Sequence, residues 1–293
     1  MQINIEQNQK EIKKHGSFAF PLHVSLEHIE AYEQGVFLWH WHPEIELTWI
    51  ISGEIEYRVN DKIYYLREGE GLFGNSQTLH AGCRKDRKPC TYLSITFHPR
   101  LLYGYDGSIF QSKYVEPIIE DGSFPALKLE RDVDWHQDIL RKMQHIQNVV
   151  KEQPDDYEMQ AQMALLEIWR YLYKDYMQNP HAKTESAVHL ERLREMLSYM
   201  EQNYSKDINL DDIAAQVNIC KSECCRFFKK HMNMTILEYL MSLRIQKSIP
   251  LLKKGKSVAE TAGLVGFASP AYFGQIFKRY MHCTPKSIQK EEN

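Results

Sequence analysis

Apolar positions change their period along this chain, and the changes divide it into three regions. From residue 17 to about 125 they form short β-branched or aromatic runs separated by turn residues: GVFLWHWH, EIELTWIISGE, EIEYRVN, KIYYLREGE and TYLSITFHP. Several runs alternate with period two, as a strand with one buried face requires, and Asn60-Asp61 offers a tight turn between two of them. This pattern predicts a small barrel or jelly roll. From about 131 to 180 the spacing becomes helical, with Ile139, Met143, Ile146 and Val150 followed by Met163, Leu166, Trp169, Tyr173 and Tyr176. Pro154-Asp155-Asp156 separates the two helices. Asn179-Pro180-His181 through Ser186 is polar without periodic apolar residues and predicts a linker, and residues 189–289 read as helix throughout. The expected class is α+β: an N-terminal β-barrel in 1–130, a helical pair with linker in 131–188, and an all-α region in 189–293.

At 293 residues the chain exceeds the roughly 100–200 of a usual domain. Its 43% apolar and 26% charged residues exclude the low-hydrophobicity composition of disordered chains. No apolar run reaches the roughly 18 residues of a membrane span, and MQINIEQNQKEIKKHG has no apolar signal core, so a cytoplasmic protein without membrane contact is expected. The six cysteines lack paired CxxC spacing and are expected as free thiols, with Cys83 and Cys90 near the barrel rim the one candidate redox pair. Net charge is only −3, but residues 189–293 carry 16 Lys and Arg against 11 Asp and Glu, while the remainder carries 20 against 28. A basic end beside an acidic one suits a C-terminal region that faces nucleic acid, because phosphate contacts need Lys and Arg.

That basic region contains a duplication. NLDDIAAQVNICKSECCRFFKKHMNMT (209–235) aligns with KSVAETAGLVGFASPAYFGQIFKRYMHCT (256–284), matching Ala214 to Ala262, Val217 to Val265, and Phe228-Lys229-Lys230 to Phe277-Lys278-Arg279, with one extra residue in the second turn. Each copy reads as two short helices around a tight turn. Asn209 caps the first helix with Asp212 at its third position, Ser257 through Glu260 reads as a capping box, and Ser269-Pro270 marks the start of the last helix. Gly266-Phe267 forms the second turn. Phe228, Phe277, Ile213 and Leu264 read as core. A plain helical bundle explains the apolar spacing but not its recurrence about 48 residues later, across a long helix at 236–255. Two recognition helices about 34 Å apart would enter successive major grooves on one face of DNA.

DDIA, FFKKHMNMT, YLMSLRIQKSIPLL, SVAETAGLVGF, AYFGQIFKRY and TPKSI lie in the order and spacing of the AraC family of transcriptional regulators, which the C-terminal third closely resembles. The resemblance implies a cupin-type barrel and dimerising helices before the double helix-turn-helix, hence a sequence-specific regulator and not an enzyme. It implies an activator controlled by a small molecule, a sugar by analogy, and a homodimer whose partners are promoter DNA and RNA polymerase. It places base-reading positions at Lys221, Ser222, Cys225 and Arg226 in the first recognition helix and at Ala271 and Gln275 in the second. Arg226 suits guanine and Gln275 adenine; Lys229, Lys230, Lys278 and Arg279 suit phosphates. Departures fall at Cys224, where a large apolar residue is usual, at Cys220 in the serine cap position, at Asn233 and His282, where each recognition helix usually ends in glycine, and at Ile288-Gln289.

In the barrel, His40-Trp-His42 with Glu46 and Gly53 has the spacing of the first cupin motif, and His80 stands at the histidine of the second. On one strand, residues 40, 42 and 46 share parity and point into one lumen, although Pro43 interrupts that strand. Three readings stay open for these four residues: ligands for a divalent transition metal, metal-free effector contacts, or structural histidines. No cofactor is required. Trp39, Trp41, Trp49, Tyr57, Tyr64 and Tyr65 add aromatic surface, mostly core, on which a sugar or aromatic ligand stacks where they face inward. The competing enzyme reading needs metal-dependent turnover in the barrel and leaves the duplicated module without a purpose; a purely architectural DNA binder needs no ligand at all.

Overall fold

Nine strands among the described residues build the N-terminal unit: β1 (Leu22–His28), β2 (Val36–His40), β3 (Ile45–Ser52), β4 (Glu54–Val59), β5 (Lys62–Arg67), β6 (Gly71–Gly74), β7 (His80–Arg84), β8 (Thr91–Phe97) and β9 (Ala126–Leu129). They form two antiparallel sheets, ordered β1-β8-β3-β6-β9 and β2-β7-β4-β5, a jelly-roll pairing around a lumen. The computed structural model describes every residue except 1, 7–8, 87, 180–185, 233, 282 and 291–293. Two compact units result, Met1–Glu6 with Lys10–Leu190 in one and Gln7–Gln9 with Glu191–Asn293 in the other. The expected linker falls largely on 180–185, and the helix ends expected at Asn233 and His282 also lie outside the described residues.

Period-two alternation explains how the larger sheet serves two environments. Ile45 and Leu47 of β3 and Leu93, Ile95 and Phe97 of β8 belong to a core that continues into the helices. Their neighbours in register, Glu46 opposite Thr96, Thr48 opposite Ser94 and Ile50 opposite Tyr92, take the other face. Ile50 and Tyr92 join Phe37, Ile55, Tyr57, Val59, Leu66 and Leu72 between the sheets. The inner face therefore runs from apolar at one end of β3 to polar at the other, and the polar end becomes the site. Asn60, at φ 50°, makes the expected turn between β4 and β5.

After the single-turn helices α1 (Arg100–Tyr103) and α2 (Glu116–Ile119), two long helices, α3 (Asp134–Glu152) and α4 (Tyr157–Gln178), cover the outer face of the larger sheet. Ile139, Met143, Ile146 and Val149 of α3 meet Leu165, Ile168, Trp169 and Leu172 of α4 in that core. The apolar face of α4 differs from its sequence reading: Met163 and Leu166 point outward, 60% and 40% exposed, and Ala161 and Ala164 pack inward in their place. Small side chains let α4 approach the core closely, which turns the larger ones to the outside.

The second unit contains α5 (Ser186–Asn203), α6 (Leu210–Gln216), α7 (Lys221–Met232), α8 (Ile236–Lys253), α9 (Val258–Leu264), α10 (Pro270–Met281) and α11 (Pro285–Lys290). Asn209 and Asp212 form a reciprocal capping box on α6, and Thr235 with Glu238 forms another on α8. At α9 only half of the expected box exists: Ser257 accepts from the Glu260 N–H, while the Glu260 carboxylate pairs with Lys256. Leu264 is 46% exposed and is not core; Val265 and Phe267 fill that position, packing with Phe273 and Phe277 against Met241, Ile245 and Ile249 of α8. Arg244 of α8, buried, donates through Nε to the Tyr204 carbonyl at 2.7 Å and through Nη2 to that of Lys206 at 2.8 Å. It ties the central helix to the segment before α6.

Two glycines of this unit have similar backbone angles and different surroundings. Gly255 and Gly266 sit at φ +79° and +84°; a Cβ at Gly255 meets nothing within 4 Å, whereas one at Gly266 meets the Tyr204 carbonyl oxygen at 2.6 Å. Gly255→Ala is expected to cost about 1 kcal/mol through the left-handed backbone alone, and Gly266→Ala distinctly more, as compared by urea unfolding of the two variants. Equal losses would mean that the turn at Gly266 relaxes freely.

Candidate functional site

The cupin-spaced residues do not share one strand. β2 ends at His40, β3 begins at Ile45, and His42 lies in the connection. Pro43 has no N–H for a ladder and restricts the residue before it, so the strand breaks there. The four side chains nevertheless converge. Register sets His40 opposite His80, with ring centroids 4.1 Å apart, and Glu46 Oε2 lies 3.3 Å from His80 Nε2 and 3.7 Å from His42 Nε2. Glu46 also accepts from Ser94 Oγ at 2.7 Å and from Tyr57 OH at 3.2 Å.

Backbone carbonyls orient two of the imidazoles. His40 Nδ1 is 2.8 Å from the Leu38 oxygen and His80 Nδ1 is 2.9 Å from that of Thr78. A nitrogen facing a carbonyl carries the proton, so both rings present Nε2 to the lumen. Burial pushes the His80 pKa down, but the hydrogen bond and charge of Glu46 outweigh it and hold that pKa above its ordinary value. Burial and then the neighbouring His80 and His42 keep His40 well below its ordinary value, hence neutral. Burial raises Glu46, but the imidazoles of His42 and His80 beside it bring it well below the usual carboxylate range. The site thus holds an ionised carboxylate beside a protonatable imidazole.

Ligand atoms of His40, His42 and His80 lie within 4.8 Å of one another. This donor set fits a divalent transition metal, with the carbonyl-bound Nδ1 atoms as its outer anchors, and it equally fits the polar groups of an organic molecule. The cavity is about 50 Å³. Tyr32, Tyr92, Ser25, Ser94 and Thr96 line it with the histidines, and Ile3, Glu11 and His15 reach it from the N-terminal segment. Of the six aromatics singled out in the sequence, only Tyr57 lines it among the described residues. Ser94 and Thr96 were legible from the alternation in TYLSITFHP; Glu11 and His15 carried no such signal. Cys83 and Cys90 are free thiols, as are the other four cysteines.

The recognition helices arrange their side chains by face. On α7, Cys224, Phe227, Phe228 and Met232 are buried, while Lys221, Ser222, Arg226, Lys229 and Lys230 are exposed and Cys225 is half-buried. On α10, Phe273, Ile276 and Phe277 are buried, and Ala271, Gln275, Lys278 and Arg279 are exposed, as is Tyr272, which the sequence reading missed. Cys224 fills a core position with less bulk than a leucine. Cys220 occupies the cap position of α7, its sulfur 3.2 Å from Ser222 Oγ; that contact and the Glu223 backbone N–H hold its thiol below the usual value. Lys221 is paired with Asp211 at 3.0 Å. Arg226, Gln275, Lys229, Lys230, Lys278 and Arg279 make no hydrogen bond or salt bridge among the described residues, so their donors are free for another molecule.

A sheltered polar lumen and two exposed basic recognition helices in one chain define a ligand-binding, DNA-binding regulator of transcription. Residues 23–164 match the family described as AraC-like ligand binding domain, and residues 213–291 match a helix-turn-helix domain family. The uncharacterized HTH-type transcriptional regulator YdeC of Bacillus subtilis (strain 168) is 32% identical over 287 residues, 98% of this chain and 97% of that protein. The melibiose operon regulatory protein of Escherichia coli (strain K12) is 21% identical over 255 residues, covering 86% and 83%. The HTH-type transcriptional activator RhaR of Mannheimia succiniciproducens is 25% identical over 270 residues, 90% of each. The chain belongs to the AraC family of transcriptional regulators. These three relatives are named as regulators of transcription or of an operon, and no helix among the described residues is long and apolar enough to cross a membrane.

Linkage follows from the lumen pKa directions. The raised His80 value contributes stability that is complete below about pH 6.5 and lost as pH rises through the elevated value; the depressed Glu46 value contributes stability lost only as pH falls well below the carboxylate range. Glu46→Gln is therefore expected to move the His80 titration, followed by its imidazole proton resonance, below 6.5. A midpoint that stays above 6.5 in the variant contradicts this account of the pair.

Proposed function

We propose that the polar lumen is the effector site and that its occupant, a small polyhydroxylated molecule such as a sugar, biases how the chain engages promoter DNA as an activator. The observation that carries this reading is the pairing in one chain of a lumen lined by imidazoles, carboxylates and hydroxyls with two recognition helices on which Arg226, Gln275, Lys229, Lys230, Lys278 and Arg279 are unengaged among the described residues. Such a lining offers donors and acceptors to hydroxyl groups, and two of the relatives are named for a sugar operon and as an activator. An organic effector needs several hundred Å³, against about 50 Å³ here, so its entry requires Ile3, Glu11 and His15 to withdraw. The effector acts by binding one of two states better than the other. This reading requires no metal and no turnover.

On the DNA side, Arg226 reads guanine and Gln275 adenine, with Lys221, Ser222, Cys225 and Ala271 completing the base-facing surface. Lys221 must exchange Asp211 for DNA. Lys229, Lys230, Lys278 and Arg279 hold phosphates and set register. The domains act as a sensor in 1–130, a dimerising pair and linker in 131–188 and a DNA-binding region in 189–293. Met159, Met163 and Leu166, spaced along one exposed stripe of α4 and 63%, 60% and 40% exposed, supply the seam of a homodimer. As an activator, the dimer recruits RNA polymerase.

Selection of bound sequences from random duplex DNA tests the reading: the intact chain is expected to recover a motif spanning two successive major grooves, and the Arg226→Ala, Gln275→Ala double variant to lose it. Each substitution is expected to cost about 1–3 kcal/mol at its own base pair, whereas Lys229→Ala weakens all sequences alike and lowers the salt slope by about 1. Equal, sequence-blind binding by both chains sinks the proposal. For the dimer, Met163→Glu with Leu166→Glu is expected to yield monomers by analytical ultracentrifugation.

A further inference from the structure

We propose that Glu11, His15 and His42 form a divalent transition-metal site that clips the N-terminal segment onto the mouth of the lumen. This rests on the lumen being the sensing site and adds a regulator of its access. One ligand atom from each of the three residues lies within 4.8 Å of the others. The set is two borderline imidazole nitrogens and one hard carboxylate oxygen, a mixed set that suits zinc, cobalt or nickel rather than calcium or magnesium, which take oxygen alone.

All three side chains are withdrawn from solvent, those of His15 and Glu11 to 5% and 8% exposure and that of His42 to 5%. His15 Nε2 meets Glu11 Oε2 at 2.9 Å, which by itself is an ordinary ion pair. That pair does not explain why the His42 ring approaches to 5.0 Å, nor why Nδ1 of both His15 and His42 is buried without a hydrogen-bond partner among the described residues. Glu44 Oε2, at 3.6 Å from His42 Nδ1, is too far to supply one. A buried nitrogen left unpaired costs about 1–3 kcal/mol; two that border one cavity of about 50 Å³ mark a place for a small cation with its water.

Position gives the site its consequence. Glu11 and His15 stand on the segment before β1, whereas His42 lies between β2 and β3, so one ion bridges two parts of the unit that share few backbone bonds. The Glu11 N–H donates to the Trp41 carbonyl and Gln2 Nε2 to that of Val36, each at 2.9 Å. The metal therefore favours the closed lumen and opposes any effector that must displace the segment. His42 also borders His40 and His80, and separate variants distinguish the inner group from the mouth.

Full-length, metal-stripped protein titrated with zinc chloride in a calorimeter, together with tryptic digestion after Lys13 and Lys14, tests the site. Loss of an outer-shell partner alone weakens a metal site about 10–100-fold, so His15→Ala and the isosteric Glu11→Gln are each expected to weaken zinc binding at the mouth by at least about 100-fold. His40→Ala with His80→Ala is expected to retain it. Zinc should slow cleavage after Lys13 and Lys14 in the wild type and in the His40, His80 variant, but not in His15→Ala or Glu11→Gln. Absence of zinc binding, binding indifferent to Glu11→Gln, or binding without protection overturns the site. Operator selection on the same proteins separates the two readings: a recovered motif with no zinc effect removes the metal and leaves the regulator.

Discussion

A carboxylate sealed between two β-sheets is stable only if its charge is answered on the spot, and the polar end of the N-terminal unit is arranged around that requirement at Glu46. Tyr57 on β4 and Ser94 on β8 donate hydrogen bonds to it, and the imidazoles of His80 on β7 and of His42 in the connection after β2 stand 3.3 and 3.7 Å from it. Removing one partner of a buried charge costs far more than a surface pair contributes. The sheets are thus held in register around the lumen, and under the proposed function any occupant competes for the same groups. A sensor needs this coupling, because a ligand shifts a conformational equilibrium only through interactions that differ between the two states.

The DNA-binding unit meets a different constraint. Two short helix pairs cannot each bury an adequate core, and the chain solves this by packing both against α8, whose Met241, Ile245 and Ile249 meet the second pair and whose Arg244 binds the carbonyls of Tyr204 and Lys206. Capping boxes at Asn209 and Thr235 satisfy helix starts that packing leaves open. The reading faces of α7 and α10 then require no stabilising role and are left to exposed Lys, Arg and Gln.

Much of this was legible in the chain. Alternation over TYLSITFHP and EIELTWIISGE located strands with two differently used faces, and the repeat of Phe-Lys-Lys as Phe-Lys-Arg located both recognition helices. Errors arose where period alone cannot set phase. Met163 and Leu166 fit a helical stripe, yet the alanines at 161 and 164 decide which face of α4 packs inward, and Leu264 fits the stripe but yields the core to Val265 and Phe267. His40, His42 and Glu46 share parity, but Pro43 breaks the strand on which parity was counted; their convergence comes from the pairing of His40 with His80, a long-range fact. The Thr235-x-x-Glu238 box was visible and overlooked. Glu11 and His15 sit in a polar segment with no periodicity, and only the fold brings them to His42.

The account turns on both recognition helices entering DNA together. Hydroxyl-radical footprinting of the full chain on its selected operator measures this directly. The account predicts, for each protomer, two protected patches on one face of the duplex, about 10–10.5 base pairs apart; a single patch, or uniform protection without register, would contradict it.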